Sequence, residues 1–361
     1  MRLSTIRHLY EDSGPWASVY LDASGPQNDT RHRIELRWRG LRDQLARGHA
    51  DERTLHALDN AIVDDMRRIG PVVPAGQAVF AAHGMVVMAS ALPEPPRRES
   101  ATWSHLPHAA DLVRGLREEV RWLRADVDRT GGSITTDDGE TSTVLGTATD
   151  PITKVSAGGW SMPRFQRAAQ TNWDRNSGEV AKAVAIIADR IDADVIVVTG
   201  DVRARQLVVD QLPAALVLCV VQIAYESPAP AHDPVLAAAT QEAVDSFIQA
   251  RRDAIVDRFH AGIASGTSVR GVTAVADAAR EQRIDTLLLG SERAKHLLWV
   301  DPSDPTLVGM AKRDVGVSEP VREPADDALV GAAAMARADS VVIEADVELV
   351  EGLGAILRYA R

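Results

Sequence analysis

The chain has 361 residues, of which 45% are apolar and 25% charged, the proportions of a folded globular protein and not of a disordered or fibrous one. Its formal net charge of −11 excludes a uniformly basic nucleic-acid binder, so any contact with phosphates has to be local. That length predicts two or three domains.

Lys154, Lys182, Lys295 and Lys312 are the only lysines among 40 basic residues. Arginine's planar fork suits bidentate phosphate contacts, although a GC-rich gene gives the same bias. The single cysteine, Cys219, excludes an intramolecular disulfide framework and fits a reducing compartment. The apolar run from Leu216 to Val221 around it predicts a buried strand with an inert thiol. Met1–Thr5 leads into polar sequence without a signal-peptide core, and no apolar run is long enough to span a bilayer. The expectation is a cytoplasmic protein. No Gly-x-Gly-x-x-Gly or Gly-Lys-Ser/Thr pattern follows a strand, so no cofactor is expected. His105 and His108 have metal-ligand spacing but no companion ligands nearby. Asp189, Asp192, Asp194 and Asp201 fit helix and strand capping better than a metal site.

In chain order, the pattern predicts an α/β (α+β) protein of three domains, 1–115, 116–262 and 263–361. Trp16–Asp22 reads as a strand, followed by an arginine-rich helix that carries Ile34, Leu36, Trp38, Leu41 and Leu45. Residues 31–53 hold seven arginines against four acids, a local excess of +3. Arg33 and Arg37 on this helix are candidate phosphate contacts, and a solvated amphipathic face is the competing explanation. A second helix follows from Glu52 to Ile69. Gln77–Ala82 and Met85–Ser90 then form a hairpin about His83-Gly84.

In the central domain, strands are expected at Trp122–Asp128, Ser133–Thr136 and Thr143–Thr147. A long helix, a strand at Asp194–Gly200, a helix at Arg203–Gln211 and a helix at Pro234–Phe259 complete it. In the third, helices at Thr273–Gln282 and Ala325–Arg337 alternate with strands at Asp285–Leu289 and Ser340–Glu344, and Leu353–Tyr359 closes an α-β-α sandwich. Residues 319–351 hold nine acids (Glu319, Glu323, Asp326, Asp327, Asp339, Glu344, Asp346, Glu348, Glu351) against Arg322 and Arg337, net −7. That composition suits protein docking better than RNA contact, and it also suits plain solubility.

The most specific stretch is Gly158-Gly159-Trp160-Ser161-Met162-Pro163-Arg164-Phe165-Gln166-Arg167. The glycines free the backbone, Ser161 fits a helix N-cap, and Pro163 falls in the first turn, where its missing N–H costs nothing. On a 3.6-residue period Met162, Phe165, Ala169, Trp173, Val180, Val184, Ile187 and Ile191 share one face, with Arg164, Arg167 and Arg175 opposite.

Gly-Gly-x-Ser-x-x-Arg-Phe-x-Arg resembles the peptidyl-transferase-centre loop of the archaeal and eukaryotic class I release factors. In that family the third residue is a glutamine that helps place the hydrolytic water, and here it is Trp160. An indole donates one N–H and accepts nothing, so it cannot orient a water as an amide does. The family's Asn-Ile-Lys-Ser codon-reading loop is absent too, because no lysine precedes Lys154. The third domain resembles the L30e/L7Ae-like domain that closes those factors and engages a translational GTPase. With both signatures missing, the chain resembles the bacterial branch of the superfamily, which includes an actinobacterial dormancy-associated group and the ribosome hibernation factor Balon.

The resemblance implies a non-catalytic factor that occupies the A site of the 70S ribosome in stress or dormancy, with elongation factor Tu or another translational GTPase as companion. It implies RNA contacts by Gly158, Gly159, Trp160, Ser161, Arg164, Arg167 and Arg175, with Arg33 and Arg37 on the small subunit. Two other readings stay open. One is a peptidyl-tRNA hydrolase or tRNA nuclease using a different residue, with Gln166 and Gln170 as the nearby amides. The other is a protein-interaction module without RNA binding. A Trp160 folded back as a core plug is the structural alternative for the loop.

Overall fold

A computed structural model describes residues 1–24, 30–68, 75–116, 120–145, 162–225, 233–344 and 349–360, with side chains except at 30–31, 63–68 and 162–170. The chain is mixed α/β and separates into two units, Met1–Glu118 with Ala254–Arg361, and Glu119–Asp253. Among the described residues no helix is long and apolar enough to cross a membrane.

The first unit opens on a 3-10 helix, Leu3–Tyr10, which buries Leu3, Ile6, Leu9 and Tyr10. Then come β1 (Trp16–Asp22), α1 (Thr30–Arg47), α2 (Glu52–Arg68), β2 (Gly76–Ala82), β3 (Met85–Leu92), β4 (Ser100–Ser104) and α3 (Ala110–Gly115). The sheet is antiparallel, in the order β3-β2-β1-β4. Strand β1 is covered on both faces: Ala17, Val19 and Leu21 meet α1 and α2 residues such as Trp38 and Leu58, while Trp16 and Tyr20 face the other core. That double burial explains its uninterrupted apolar sequence. The β2–β3 turn has φ of 53° at His83 and 78° at Gly84, the paired positive values of a two-residue type I′ hairpin. Helix α2 starts at Asp51, whose carboxylate accepts the Thr54 N–H at 2.9 Å and its hydroxyl at 2.8 Å.

The second unit contains β5 (Trp122–Val127), β6 (Gly131–Thr136), β7 (Thr141–Leu145), α4 (Met162–Ile191), β8 (Val195–Gly200), α5 (Val202–Asp210), α6 (Ala214–Val217) and β9 (Val220–Gln222). Its sheet runs β7-β6-β5-β8-β9, with β5, β8 and β9 parallel and β6 and β7 antiparallel. The strand expected from Leu216 to Val221 does not form as such. Pro213 starts a helical turn, its carbonyl accepting from the Leu216 and Val217 N–H groups at 2.9 and 3.2 Å. Cys219 follows in a turn, half-buried and free. A short apolar run cannot distinguish a helical turn from a strand, and the proline decides it.

Helix α7 (Pro234–Ser265) is longer than predicted, and the division between the units falls inside it. The first unit resumes with β10 (Ser268–Arg270), α8 (Val272–Arg280), β11 (Ile284–Gly290), β12 (Leu297–Asp301), β13 (Asp304–Gly309), α9 (Lys312–Val315), β14 (Val321–Pro324), α10 (Ala325–Met335), β15 (Asp339–Ile343) and β16 (Leu353–Leu357). These make a β10-β16-β11-β15 sheet and a small β13-β12-β14 sheet. Helix α10 is buried from Ala325 through Ala334, with Asp326 and Asp327 included. Gly331 lets Tyr10 approach, since a Cβ there would lie 2.7 Å from the ring. Leu3, Trp16, Phe80 and Leu112 share one hydrophobic core with Val275, Leu287 and Leu329, so the ends of the sequence meet in a single core.

Candidate functional site

Helix α4 is the scaffold of the predicted site. From Trp173 onward its apolar stripe packs as the period requires: Trp173, Val180 and Val184 are buried, and Ile187 and Ile191 lie partly buried against the same core. The partners of Val180, Val184, Ile187 and Ile191 are Leu123, Ala125, Val127, Ile134, Ile196 and Val198 from β5, β6 and β8. Arg175 is exposed, with no ion-pair partner among the described residues. Gly158, Gly159, Trp160 and Ser161 lie outside the described residues. So do the side chains of Arg164 and Arg167, whose backbone forms the first turns of α4.

Where α4 becomes fully described, Trp173 is clasped by two arginines that sequence spacing did not indicate. The Arg129 guanidinium, from the β5–β6 turn, lies 4.9 Å from the indole centroid, and that of Arg203, from the first turn of α5, lies 5.1 Å away. Arg129 also donates to Asp201 at 3.1 Å, and Asn176 of α4 donates to the Arg129 carbonyl at 3.1 Å. Asp201 caps α5 by accepting the Arg203 and Ala204 N–H groups at 3.0 and 3.1 Å. Burial opposes its charge, but these N–H donors and Arg129 hold its pKa below the usual aspartate value. The turn before it needs glycine. Gly200 has φ +105°, and a Cβ there would fall 2.0 Å from the Val127 carbonyl oxygen. The carboxyl ends of β5 and β8 therefore fix both arginines on the flank of α4. The only sequence signal was Gly200-Asp201, a strand end followed by a cap residue; Arg129 and Arg203 lie too far from Trp173 in sequence for any local pattern to join them.

The α1 arginines are less available than their spacing suggests. Arg33 donates to the Ser24 carbonyl at 2.6 Å. Arg37 lies 2.9 Å from the Asp22 carboxylate and 3.5 Å from that of Glu99. Partial burial works against the charge of Asp22, yet hydrogen bonds from Ser24, together with Arg37 and Arg33, lower its pKa. Arg42 is drawn to Asp59 at 3.0 Å. Arg39 is exposed, with no partner among the described residues.

The acid-rich stretch also differs from a free docking face. Glu323, Asp326 and Asp327 are at most 2% exposed. Glu323 meets Ser104, His105 and His108, Asp326 meets Arg114, and Asp327 accepts the Ala110 N–H. Glu351 accepts the Val272 N–H at 2.9 Å at the start of α8. Sequence counts charges without showing which are internal, so the excess of acids overstated this surface. Among the described residues no group of three or more His, Cys, Asp or Glu side chains is placed to hold a metal.

The second unit thus pairs a parallel β5-β8-β9 sheet with the long helix α4. Residues 121–265, which include Gly158 and Gly159, match the model of bacterial archaeo-eukaryotic release factor family 2. On that segment the chain is similar to the bacterial branch of the release-factor-like proteins. It is 28% identical over 375 aligned residues to the uncharacterized protein MT2704 of Mycobacterium tuberculosis (strain CDC 1551 / Oshkosh), covering 100% of this chain and 97% of that one. Among solved structures, a model of ribosome-bound archaeal Pelota and ABCE1 is 14% identical with a TM-score of 0.40, covering 99% of this chain and 93% of its own. The archaeal translation termination factor aRF1 is 16% identical with a TM-score of 0.25, covering 98% and 96%.

Proposed function

We propose that the chain is a non-catalytic, cytoplasmic ribosome-binding factor of translation, one that occupies the A site in stress or dormancy as Balon-like hibernation factors do. The observation that carries this reading is the family match across residues 121–265 together with Trp160 in place of the catalytic glutamine. The match supports the destination, and the indole argues against water activation. In this reading Gly158, Gly159, Trp160 and Ser161 reach toward the tRNA acceptor end, and Arg164, Arg167 and Arg175 meet phosphates. The exposure of Arg175 suits that role. On α1, Arg33 or Arg37 has to exchange an internal partner for a phosphate, which makes that contact the weaker one. Residues 1–115, 116–262 and 263–361 act as three functional segments, the last an L30e/L7Ae-like one. Elongation factor Tu or another translational GTPase would meet the acids of that segment that remain on the surface, such as Glu319 and Glu344.

Co-sedimentation with whole ribosomes tests the proposal. The chain is expected in the ribosomal fraction at low salt, and Arg164→Glu combined with Arg167→Glu reduces that fraction by about tenfold or more, since each reversal also adds repulsion from phosphate. Free protein at the top of a low-salt gradient refutes ribosome binding. Release of peptide from peptidyl-tRNA by the purified chain refutes the non-catalytic assignment.

A further inference from the structure

In the first unit, the end of β4 and the start of α3 run against β14 and α10, and the contact between them is made of buried ionisable groups. His108 is 8% exposed, Glu323 and Asp327 each 1%. The imidazole Nε2 lies 3.0 Å from Glu323 Oε2, and Nδ1 lies 3.8 Å from Asp327 Oδ2. That Nδ1 and that Oδ2 are both buried, and neither has a hydrogen-bond partner among the described residues. A water bonding both at ordinary lengths and a near-tetrahedral angle holds the atoms it joins about 4.5 Å apart, so these two lie too close for an ordinary water bridge. A small closure completes the bond, and only the doubly protonated ring has an N–H for each carboxylate.

We propose that His108 is a proton-operated clasp: as an imidazolium between Glu323 and Asp327 it fastens residues 104–112 to β14 and α10, and it loosens when it loses that proton. This inference is independent of ribosome binding.

The charges around the ring support the assignment. Glu323 also accepts the Ser104 hydroxyl, at 2.6 and 2.7 Å to its two oxygens, and the His105 N–H at 3.1 Å. Asp327 accepts the Ala110 N–H at 2.9 Å. Tyr10 approaches from the first 3-10 helix, its hydroxyl donating to the Pro107 carbonyl at 3.4 Å, and Tyr20 approaches from β1, its hydroxyl donating to the His108 carbonyl at 2.7 Å. From α3, Arg114 pairs with Asp326 of α10, and Asp111 is held by Arg293 at 2.9 and 2.5 Å. With those two arginines matched to Asp326 and Asp111, Glu323 and Asp327 remain against the single imidazole. A neutral His108 would leave Glu323 buried without a cation and Asp327 with only the field of Arg293, which already pairs with Asp111, and that is costly.

Burial opposes a charge on His108, but the hydrogen bond to Glu323 and the fields of Asp327 and Glu323 outweigh it, so the histidine pKa is raised. Burial raises Asp327 as well, against the opposing pull of His108. Both shifts have one sign, and the folded state holds protons that the unfolded chain gives up. The His108 contribution is complete below its unfolded pKa, about 6.5, and is lost as pH rises through its folded value. For Asp327 the same rule starts from about 3.9. The cluster therefore favours the fold most in mild acid and least in alkali.

The test is an NMR titration of the His108 ring in the full chain, with urea unfolding at about pH 6 and about pH 9. The ring is expected to titrate above about 6.5. His108→Asn is expected to remove most of the loss of stability between the two pH values. Glu323→Gln removes one carboxylate and is expected to lower the histidine midpoint toward its ordinary value. A midpoint at or below the ordinary one overturns the clasp. So does an unchanged pH slope in His108→Asn. Should that variant fail to fold, the direction of the shift in Glu323→Gln decides, and no downward shift refutes the proposal.

Discussion

The surroundings of α10 and of α4 use charge in opposite ways. Around α10, Glu323, Asp326 and Asp327 are internal, and each is answered by a histidine, an arginine or a backbone N–H. Around α4 the charges lie at the rim: Arg129 keeps 47% of its side chain exposed while stacking on Trp173, and Arg175 is exposed. The contrast shows that residues of one type are held under different constraints. A carboxylate at α10 is part of the core and cannot be offered to a partner. A guanidinium at α4 keeps donors available while its position is fixed by an aromatic face.

Three substitutions, read by the shift of the urea midpoint, sharpen that contrast. Asp326→Ala is expected to have the largest effect. It leaves the Arg114 guanidinium, whose side chain is 8% exposed, with Asp111 at 3.4 Å as its remaining carboxylate, and breaking a buried pair from one side costs about 3–5 kcal/mol. Asp201→Ala comes next, with the loss of the α5 cap and the Arg129 pair expected to cost about 1–2 kcal/mol. Arg129→Ala is smallest, about 0.5–1 kcal/mol, because its ion pair and its stack on Trp173 both lie near solvent. Were Asp326→Ala as mild as Arg129→Ala, the α10 network would have to be solvated, and the contrast would fail.

Much of this fold was legible where a local pattern had one cause. Trp16–Asp22 is apolar throughout because β1 is covered on both faces, and His83-Gly84 marks a turn that demands two positive φ values. The long α4 followed from one uninterrupted stripe. The β12–β14 sheet was missed because its strands are short and hold Trp299, Arg322 and Glu323 at positions that mix polar with apolar. Helix α10 was found, but its buried acids were not, since an Asp-Asp pair in a first turn ordinarily marks a solvated helix start. At the candidate site, Trp173 was placed correctly on the inner face of α4. The arginines that hold it come from other elements, and no spacing rule joins residues 129, 173 and 203.

The first unit is discontinuous in sequence. Its opening 118 residues share a core with α8, β11 and α10, which leave the synthesis machinery only after the whole of residues 119–253. At about 5–20 residues per second, that stretch alone is a delay of roughly 7–27 s. During it the middle segment is free to fold, while Trp16, Phe80 and Leu112 wait for their partners. The nascent amino-terminal part is thus the stretch most dependent on chaperone shelter, and a chain truncated before α10 would expose that unmatched apolar face.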